Sequence, residues 1–277
     1  MRAQCSVCAS FSMISRCNVI AVSCVDMKSS VENHSLQGQV VLITGGARRV
    51  GAEIARTLHA AGANIFIHYR SSAAAATALA DQFNEIRPHS AAIHAAHLSA
   101  AEAPEQLVNA ALLEFGRLDI LINNASSFYP TPVGQITLPQ WDDLMGSNLK
   151  APLFLSQAAA PSLARQRGLI INMIDIHGMR PLKAHPVYST AKAGLAMLTR
   201  ALARELGPDI RVNGIAPGPV LWPEGDMDDE LKQEIIDKTA LKRHGTPQDI
   251  ARTALFLAQD APYITGQIIA VDGGRSI

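Results

Sequence analysis

The chain has 277 residues, of which 48% are hydrophobic and 17% are charged, so it can fold around a large core and is not a disordered chain. Its 24 Lys and Arg residues balance 24 Asp and Glu residues, which excludes the basic surface of a typical nucleic-acid-binding protein. No apolar run reaches the ~20 residues of a transmembrane helix, so we expect neither nucleic acid nor a membrane as a partner.

The N-terminal region differs in composition from the rest of the chain. It contains all four cysteines, namely Cys5, Cys8, Cys17 and Cys24. Because a secreted disulfide scaffold would spread its cysteines through the fold, this distribution favours a reducing, cytoplasmic setting. The first pair could form half of a zinc site, but the second pair lacks the spacing to complete it, so we expect no metal. Residues 1–37 show no sustained period, which predicts a disordered extension with Met27 as a candidate native start.

Residues 38–277 alternate between predicted strands and predicted helices. Strands are predicted over residues 39–43, 64–69, 91–96, 118–122, 169–174, 210–215 and 267–271. Helices are predicted over residues 49–61, 72–85, 104–115, 139–165, 186–206, 230–238 and 247–258. This alternation predicts one α/β domain of the Rossmann type, doubly wound, with a seven-stranded parallel sheet. Ligands of such sheets bind beyond the carboxyl ends of the strands.

A glycine-containing turn, residues 44–51, joins the first strand to the first helix. Glycine lets the backbone approach a pyrophosphate, and the start of the helix supplies N–H groups and a positive dipole end. The turn therefore predicts a dinucleotide site lined by Gly45, Arg48, Arg49, Val50 and Gly51. The alternative is an ordinary tight turn.

The second strand ends in His68, Tyr69, Arg70 and Ser71, without an acidic residue. An acidic side chain there would bind the ribose 2′-hydroxyl and repel a 2′-phosphate. Arg48 and Arg70 instead supply cations and Ser71 a hydroxyl, which favours NADPH over NADH. The alternative is that Arg70 is only a solvated surface charge.

Tyr188 and Lys192 are spaced i and i+4, so they lie on one face of the predicted helix 186–206. An ammonium near a phenol lowers the pKa of the hydroxyl, and a tyrosine tuned in this way can transfer a proton during hydride transfer. Alone, this spacing is more often an exposed helix pair. Here it follows a nucleotide turn and a strand.

These motifs, in this order, resemble the short-chain dehydrogenase/reductase family over residues 38–277. Further matches are Asn123 to Ala125, Asn148, Pro217 and Gly218, and Val271 to Gly274. The resemblance implies that Asn123, Ala125, Gly218 and Val220 line the cofactor. It also implies that Asn148 positions a proton-relay water, that Lys192 holds the nicotinamide ribose, and that the protein is a homotetramer. The usual adenine-side acid is His97 here, which leaves Leu98 to pack in that place.

The family's serine, thirteen residues before the tyrosine, is Asp175 in this chain. A hydroxyl orients a carbonyl oxygen, whereas a carboxyl group beside a tyrosine suits protonation of a ring nitrogen. The alternative is a solvated aspartate at a strand end.

Asp175 together with Arg49 resembles the pteridine reductase subgroup, as do residues 123–132, 171–175 and 263–266. This resemblance implies that Phe128 stacks on a pterin, that Ser126 and Arg49 contact phosphate and pterin, and that Asp175 and Tyr188 protonate the ring. A flat heteroaromatic ring does gain from an aromatic platform. The alternative is that Phe128 is a loop anchor buried in the core.

The leading hypothesis is an NADPH-dependent pteridine reductase that reduces dihydropterins to the tetrahydro form. Oxidised pterins, dihydromonapterin and dihydrofolate are further candidate substrates. The second hypothesis is a ketone reductase, such as a 3-oxoacyl carrier-protein reductase, and the third is a non-catalytic NADPH-binding module. Trp222 is a candidate substrate contact, but it could equally pack on a neighbouring subunit.

Overall fold

The computed structural model describes residues 35–222 and 228–277. The four cysteines and Met27 lie outside this part of the chain, as does most of the predicted N-terminal extension. The predicted boundary between residues 37 and 38 is too late. Leu36 is only 1% exposed and belongs to the core, and its N–H donates to the carbonyl of Ala61 at 3.0 Å.

Seven parallel strands form one sheet in the order β3-β2-β1-β4-β5-β6-β7. The strands are β1 (Val40–Ile43), β2 (Asn64–Tyr69), β3 (Ala91–Ala95), β4 (Ile120–Asn123), β5 (Leu169–Met173), β6 (Arg211–Pro217) and β7 (Ile268–Val271). The helices are α1 (Arg49–Ala60), α2 (Ala73–Ile86), α3 (Ala103–Phe115), α4 (Leu138–Met145), α5 (Ala151–Arg165), α6 (Pro186–Leu206), α7 (Asp229–Asp237) and α8 (Pro247–Gln259). The Rossmann-type fold class predicted from the alternation is confirmed.

Apolar side chains cover both faces of the sheet. In β1, Val41 and Ile43 pack with residues of α1, α2 and α8, whereas Val40 and Leu42 pack with residues of α3, α5 and α6. A strand buried on both faces has a continuous apolar sequence, which is why the central strands lack the alternation of a half-buried strand. No helix in the described part of the chain is long and apolar enough to cross a membrane.

The largest difference between the predicted and observed elements falls in residues 139–165, which the sequence predicts to be one helix. A π-helical turn, Gly146–Lys150, separates α4 from α5 and contains the predicted catalytic residue Asn148. Such a turn adds one residue to the helical path and recurs at functional sites. A short 3₁₀ turn, Ile176–Gly178, was also not predicted. The other predicted elements agree with the observed bounds to within two residues.

Candidate active site

A cleft of about 470 Å³ lies beyond the carboxyl ends of the strands. Its volume is in the usual range for a small-molecule site. Most of the predicted site residues line it. They are Gly45, Arg48, Arg49, Val50, Gly51, His68, Tyr69, Arg70, Ser71, Leu98, Ala125, Ser126, Asp175, Gly218 and Val220.

The turn between β1 and α1 brings backbone to the cleft. Gly45 has φ +61°, and a Cβ atom there would lie 3.1 Å from the Cα of Ala125. A Cβ atom at Gly51 would lie 2.4 Å from the carbonyl oxygen of Gly45, so only glycine fits. Helix α1 begins without a side-chain cap at Arg48, so its first N–H groups can bind an anion in the cleft.

Arg49, the first residue of α1, has φ +54°. This left-handed conformation is strained for an L-residue with a side chain. The Arg49 guanidinium donates from Nη2 to the carbonyl of Trp222 at 3.0 Å, which connects the turn to the loop after β6. The strained backbone conformation thus falls on Arg49, whose side chain is a cation.

His68 holds the turn from the end of β2. Its Nδ1 accepts a hydrogen bond from the N–H of Gly45 at 3.2 Å, and its Nε2 donates to the carbonyl of Ala96 at 3.0 Å. Burial lowers the pKa of His68 to about 4. The ring is therefore neutral near pH 7, and its two bonds require the tautomer with the proton on Nε2.

Cations and hydroxyls line the cleft near the ends of β2 and β3. The described lining residues from this region include Arg70, Ser71, Ser72 and His97, and none of them is acidic. The acidic lining residues are Asp143, from α4, and Asp175, which follows β5. Arg70 and Ser71, which the sequence predicts to contact a 2′-phosphate, therefore both line the cleft.

Tyr188 and Asp175 are in direct contact, although of these two only Asp175 lines the cleft, and the predicted site residues Lys192 and Phe128 are also absent from the lining. The Tyr188 hydroxyl donates to Oδ2 of Asp175 at 2.7 Å, and Oδ1 accepts the backbone N–H of His177 at 2.8 Å. Both oxygens of the Asp175 carboxyl group therefore accept hydrogen bonds, which fits an ionised carboxylate. Asp175 is consequently not the solvated strand-end aspartate of the alternative.

Lys192 lies deeper, with 3% of its surface exposed. Its Nζ donates to the carbonyl of Met173 at 2.8 Å and is 5.7 Å from the centre of the Tyr188 ring. Burial lowers the pKa of Lys192 to about 8, while the charge of Asp175 opposes this shift. The ammonium is thus charged at neutral pH and close to titration.

The predicted lowering of the Tyr188 pKa is not found in this structure, where the net shift has the opposite sign. Burial raises the pKa of Tyr188 well above its ordinary value, and the charge and hydrogen bond of Asp175 raise it further. The physical reason is that the carboxylate contacts the hydroxyl, whereas the ammonium lies over the ring and is held by a carbonyl. Tyr188 therefore keeps its proton and donates it in the hydrogen bond to Asp175.

Asn148 is fully buried in the π-helical turn and does not line the cleft. Its amide nitrogen donates to the carbonyls of Ser127 and Leu144, both at 2.9 Å. Its Oδ1 accepts the hydroxyl of Ser126 at 2.7 Å. The structure thus joins Asn148 directly to a side chain of the cleft, a contact that the sequence did not predict.

Phe128 is 49% exposed, so the alternative of a buried loop anchor is wrong. Its ring stacks on His185 with centroids 4.8 Å apart and planes at 11°, and it meets the Tyr188 ring edge-on at 4.8 Å. The sequence did not indicate the contact of His185. This residue immediately precedes α6 as its N-cap, and no residue pattern placed its ring against Phe128.

The prediction that the Asn123 side chain lines the cofactor is wrong. Its side chain is buried and does not line the cleft, because its amide donates to Oδ1 of Asn172, its partner on β5, at 2.8 Å. The next residue, Asn124, lines the cleft instead and donates to the carbonyls of Thr44 and Gly45. Successive side chains leave a strand in opposite directions, which separates these two neighbours.

Trp222 is placed by contacts within its own chain. Its ring lies against His244 with centroids 4.5 Å apart, and its carbonyl accepts from Arg49. The two predicted roles of this side chain, over the substrate or on another subunit, stay predictions. Residues 223–227, the rest of the predicted substrate loop, lie outside the described residues.

Within residues 35–222 and 228–277, no group of three or more His, Cys, Asp or Glu side chains is arranged to hold a metal ion. The cysteine spacing considered for zinc lies outside these ranges.

A family model described as enoyl-(acyl carrier protein) reductase matches residues 45–276. Pteridine reductase 1 of Leishmania tarentolae is 37% identical over 279 residues, covering 86% of this chain and 96% of that protein. The 3-oxoacyl-(acyl-carrier-protein) reductase of Staphylococcus aureus is 36% identical over 237 residues, covering 84% and 96%. Among solved structures, a blue fluorescent protein from a metagenomic library, in complex with NADPH, matches with a TM-score of 0.82 and 35% identity, covering 88% of this chain and 100% of that one. The fold, the motifs and these matches show that the chain belongs to the short-chain dehydrogenase/reductase family of oxidoreductases.

Proposed function

We propose that the chain is an NADPH-dependent pteridine reductase that reduces dihydropterins to the tetrahydro form, with oxidised pterins, dihydromonapterin and dihydrofolate as further candidates. The observation that carries this proposal is the 2.7 Å hydrogen bond between the Tyr188 hydroxyl and the Asp175 carboxylate. A carboxylate cannot donate a hydrogen bond to a substrate carbonyl oxygen, but it can accept one from a ring N–H or amino group. Pterins carry such donors.

The cleft fits NADPH as the cofactor. The turn of residues 45–51 offers backbone N–H groups for a pyrophosphate, and the lining residues Arg48 and Arg70 offer cations for a 2′-phosphate. The hydroxyl of Ser71 lies in the same part of the lining, with Leu98 as an apolar contact for the adenine. A structural relative was solved in complex with NADPH, which supports the same choice.

When bound, NADPH supplies a hydride that reduces a double bond of the substrate. The nitrogen of a C=N bond then needs a proton, and the Tyr188 hydroxyl is the donor that the geometry offers. Asp175 holds that hydroxyl and accepts the N–H groups of the substrate, so it fixes the ring beside the donor. Charged Lys192 stabilises the tyrosinate left behind and would hold the nicotinamide ribose.

Phe128 provides the aromatic platform. Its ring is half exposed and lies with its centroid 4.8 Å from that of Tyr188, so a flat ring stacked on its exposed part would lie near the proton donor. His185 stacks on one face of the same ring. Ser126 and Arg49 line the cleft and can contact a phosphate and the pterin.

The second candidate is a ketone reductase acting on a 3-oxoacyl thioester. The specific observation in its favour is that a 3-oxoacyl-(acyl-carrier-protein) reductase is 36% identical, almost as similar as the pteridine reductase at 37%. Asp175 opposes it, because ketone reduction benefits from a hydroxyl that donates to the carbonyl oxygen. The third hypothesis, a non-catalytic NADPH-binding module, leaves the contact between Tyr188 and Asp175 without a use.

The deciding experiment is NADPH oxidation by the purified full chain with dihydrobiopterin, dihydromonapterin, dihydrofolate and an acetoacetyl thioester in parallel. We expect turnover of the pterins and none of the thioester. The variant Asp175→Ser should lower pterin turnover about 100-fold while the affinity for NADPH stays unchanged. Turnover of the thioester alone, or an Asp175→Ser variant as active on pterins as the parent, contradicts the proposal. NADPH binding without any turnover supports the non-catalytic module.

We also propose that the protein is a cytoplasmic homotetramer. Exposed apolar side chains on α5 and α6, among them Phe154 and Met197, support a subunit interface on that face. Light scattering on the eluting peak of a size-exclusion column should give the mass of four chains, and the mass of one chain contradicts the proposal.

A further inference from the structure

Thr199 is a buried threonine of α6 that the proposed mechanism does not use. Its hydroxyl donates to the carbonyl of Leu195, one helical turn earlier, at 2.8 Å. Its Oγ1 also accepts a hydrogen bond from Nδ2 of Asn172, on β5, at 2.9 Å. Thr199 is 0% exposed, so both bonds are shielded from solvent and tie the helix to the strand.

The Asn172 side chain is itself held by the neighbouring strand. Its Oδ1 accepts from Nδ2 of Asn123, its register partner on β4, at 2.8 Å. Nδ2 of Asn123 also lies 3.4 Å from Oγ of Ser156 on α5, which donates to the carbonyl of Pro152 at 2.6 Å. These side chains are at most 2% exposed. The amide that reaches Thr199 therefore has a fixed position and direction.

Thr199 shares one stripe of α6 with Tyr188 and Lys192. At about 100° per residue, these three positions fall within about 40° of one another around the helix axis. Each side chain bonds to β5 or to the residues that follow it. The partners are Asn172, the carbonyl of Met173 and Asp175. We call these three bonds the polar seam. The partners follow β5 in the reverse order of the side chains along α6, so the helix is attached to the strand at three successive points.

The polar seam restrains α6 in a way that its apolar contacts do not. Apolar burial is non-directional, so apolar contacts alone leave a helix free to make small shifts along and about its axis. Hydrogen bonds weaken steeply away from their preferred angle, so they oppose such shifts. A rise of about 1.5 Å per residue places Thr199 about 16 Å from Tyr188 along the helix. The two outer bonds of the seam therefore fix both ends of the segment that carries the reactive groups.

We propose that Thr199 is a positioning residue that sets the place of the Tyr188 hydroxyl by fixing α6 along β5. The proposal rests on the role of Tyr188 as the proton donor in the proposed function. Without the Thr199 hydroxyl, the Asn172 amide loses its acceptor in a buried place, and the helix and the strand adjust around the unpaired donor. This adjustment weakens the bond to Asp175 that holds the Tyr188 hydroxyl in place.

Thr199→Val is the decisive variant, because valine has nearly the shape of threonine but no hydroxyl. Thr199→Ser keeps the hydroxyl and tests rescue, and Thr199→Ala removes the same hydroxyl if the valine variant does not fold. Thr253→Val is the matched control. Thr253 lies on α8 and donates to the carbonyl of Asp249, one turn earlier, at 2.9 Å, but within the described residues it bonds to no strand.

The first test is the NMR spectrum of the full chain labelled with ¹³C at Cζ of tyrosine, a signal that reports the hydrogen bond of the hydroxyl. The chain has 4 tyrosines, and Tyr188→Phe identifies the signal of Tyr188. Thr199→Val should shift that signal, Thr253→Val should leave it in place, and Thr199→Ser should return it towards the parent position. A role in stability alone would lower the midpoint of urea unfolding without moving this signal.

An unshifted signal in Thr199→Val, or an equal shift in Thr253→Val, overturns the proposal. This readout requires no turnover, so its failure is distinguishable from a failure of pterin reduction.

The second test is steady-state kinetics with whichever of the pterins or the acetoacetyl thioester the parent turns over. Thr199→Val should lower kcat about tenfold, because a small misplacement of the proton donor slows the chemical step. KM should change less than kcat, since the cleft keeps its lining residues. Thr199→Ser should recover most of the loss, and Thr253→Val should show none. A kcat equal to that of the parent in Thr199→Val overturns the proposal whatever the substrate is.

Discussion

One end of the cleft is formed by backbone and exposed cations, whereas the other lies against side chains that are joined by long-range hydrogen bonds. The first, here the turn end, comprises residues 45–51 and 68–72. The second, the tyrosine end, comprises the lining residues Asp175 and Ser126 with the buried side chains of Tyr188, Lys192 and Asn148 behind them. The turn end is built from residues close in sequence, whereas the tyrosine end joins residues from four separate segments. Recognition of a charged ligand can thus rest on local structure, while proton transfer needs contacts that only the complete fold provides.

The largest expected effect falls at the tyrosine end. Tyr188→Phe removes the proton donor and should lower kcat about 1000-fold, while NADPH affinity, which belongs to the turn end, stays unchanged. Stopped-flow turnover and a fluorescence titration with NADPH measure the two quantities. Tyr263→Phe, the same change at a fully exposed tyrosine, is the control. If Tyr188→Phe loses NADPH affinity by a factor similar to its loss of kcat, the two ends of the cleft do not have separate roles.

The next effect tests whether the turn end also contains a buried titratable group. His68 has a pKa near 4 in the folded protein and 6.5 as the ordinary value. As the pH falls below 6.5 the unfolded chain takes up a proton that the folded protein refuses, so stability falls until pH 4. The loss is about 3 kcal/mol for this one group.

Urea unfolding from pH 7 to pH 4 measures this loss in the free energy of unfolding. His68→Gln should reduce the pH dependence by about 3 kcal/mol, and His97→Gln, an exposed histidine of the same region, should not. An unchanged pH dependence in His68→Gln means that the ring is solvated and that the turn is held by other contacts.

A smaller effect sharpens the account of cofactor choice. Arg70→Ala should raise the KM for NADPH about tenfold and leave the KM for NADH unchanged, because only NADPH carries the 2′-phosphate. Arg56→Ala removes an equivalent guanidinium that pairs with Glu53 on α1. If both variants behave alike, Arg70 is the solvated surface charge of the alternative hypothesis.

The smallest effect concerns backbone strain at the turn end. Arg49 has φ +54°, which glycine adopts freely and alanine does not. Arg49→Gly should therefore be more stable than Arg49→Ala by about 1 kcal/mol in denaturant unfolding, although both lose the same guanidinium. Equal stability of the two variants shows that the strain is relieved elsewhere.

The same contrast explains what the sequence could predict. The strand, turn and helix of residues 40–60 follow from local pattern and glycine chemistry, and the structure places them as predicted. The spacing of Tyr188 and Lys192 fixed a shared helix face, but not the sign of the shift in the Tyr188 pKa. That sign depends on burial and on Asp175, which approaches from another segment.

Other features could not be predicted from the sequence because they depend on contacts between distant segments. The bond between Ser126 and Asn148 joins residues 22 positions apart, across a π-helical turn that no residue pattern announced. The stack of His185 on Phe128 depends on how two loops meet. The inward direction of the Asn123 side chain depends on where β4 ends. A strand that ended one residue earlier or later would exchange the positions of Asn123 and Asn124 relative to the cleft.

The π-helical turn also limits how this segment can change in length. Because the turn holds one residue more than a regular helix, deleting one residue at Gly146–Lys150 would restore α-helical geometry and keep α4 in phase with α5. Each residue of an α-helix advances by about 100°, so a deletion within α4 or α5 would instead rotate the two helices against each other by that angle. Leu144, which packs with Val187 and Tyr188, would then leave its contacts, and Tyr129 would lose Asp143. We therefore expect one-residue length differences among relatives to fall at this turn or in the loop before α4, and not within either helix.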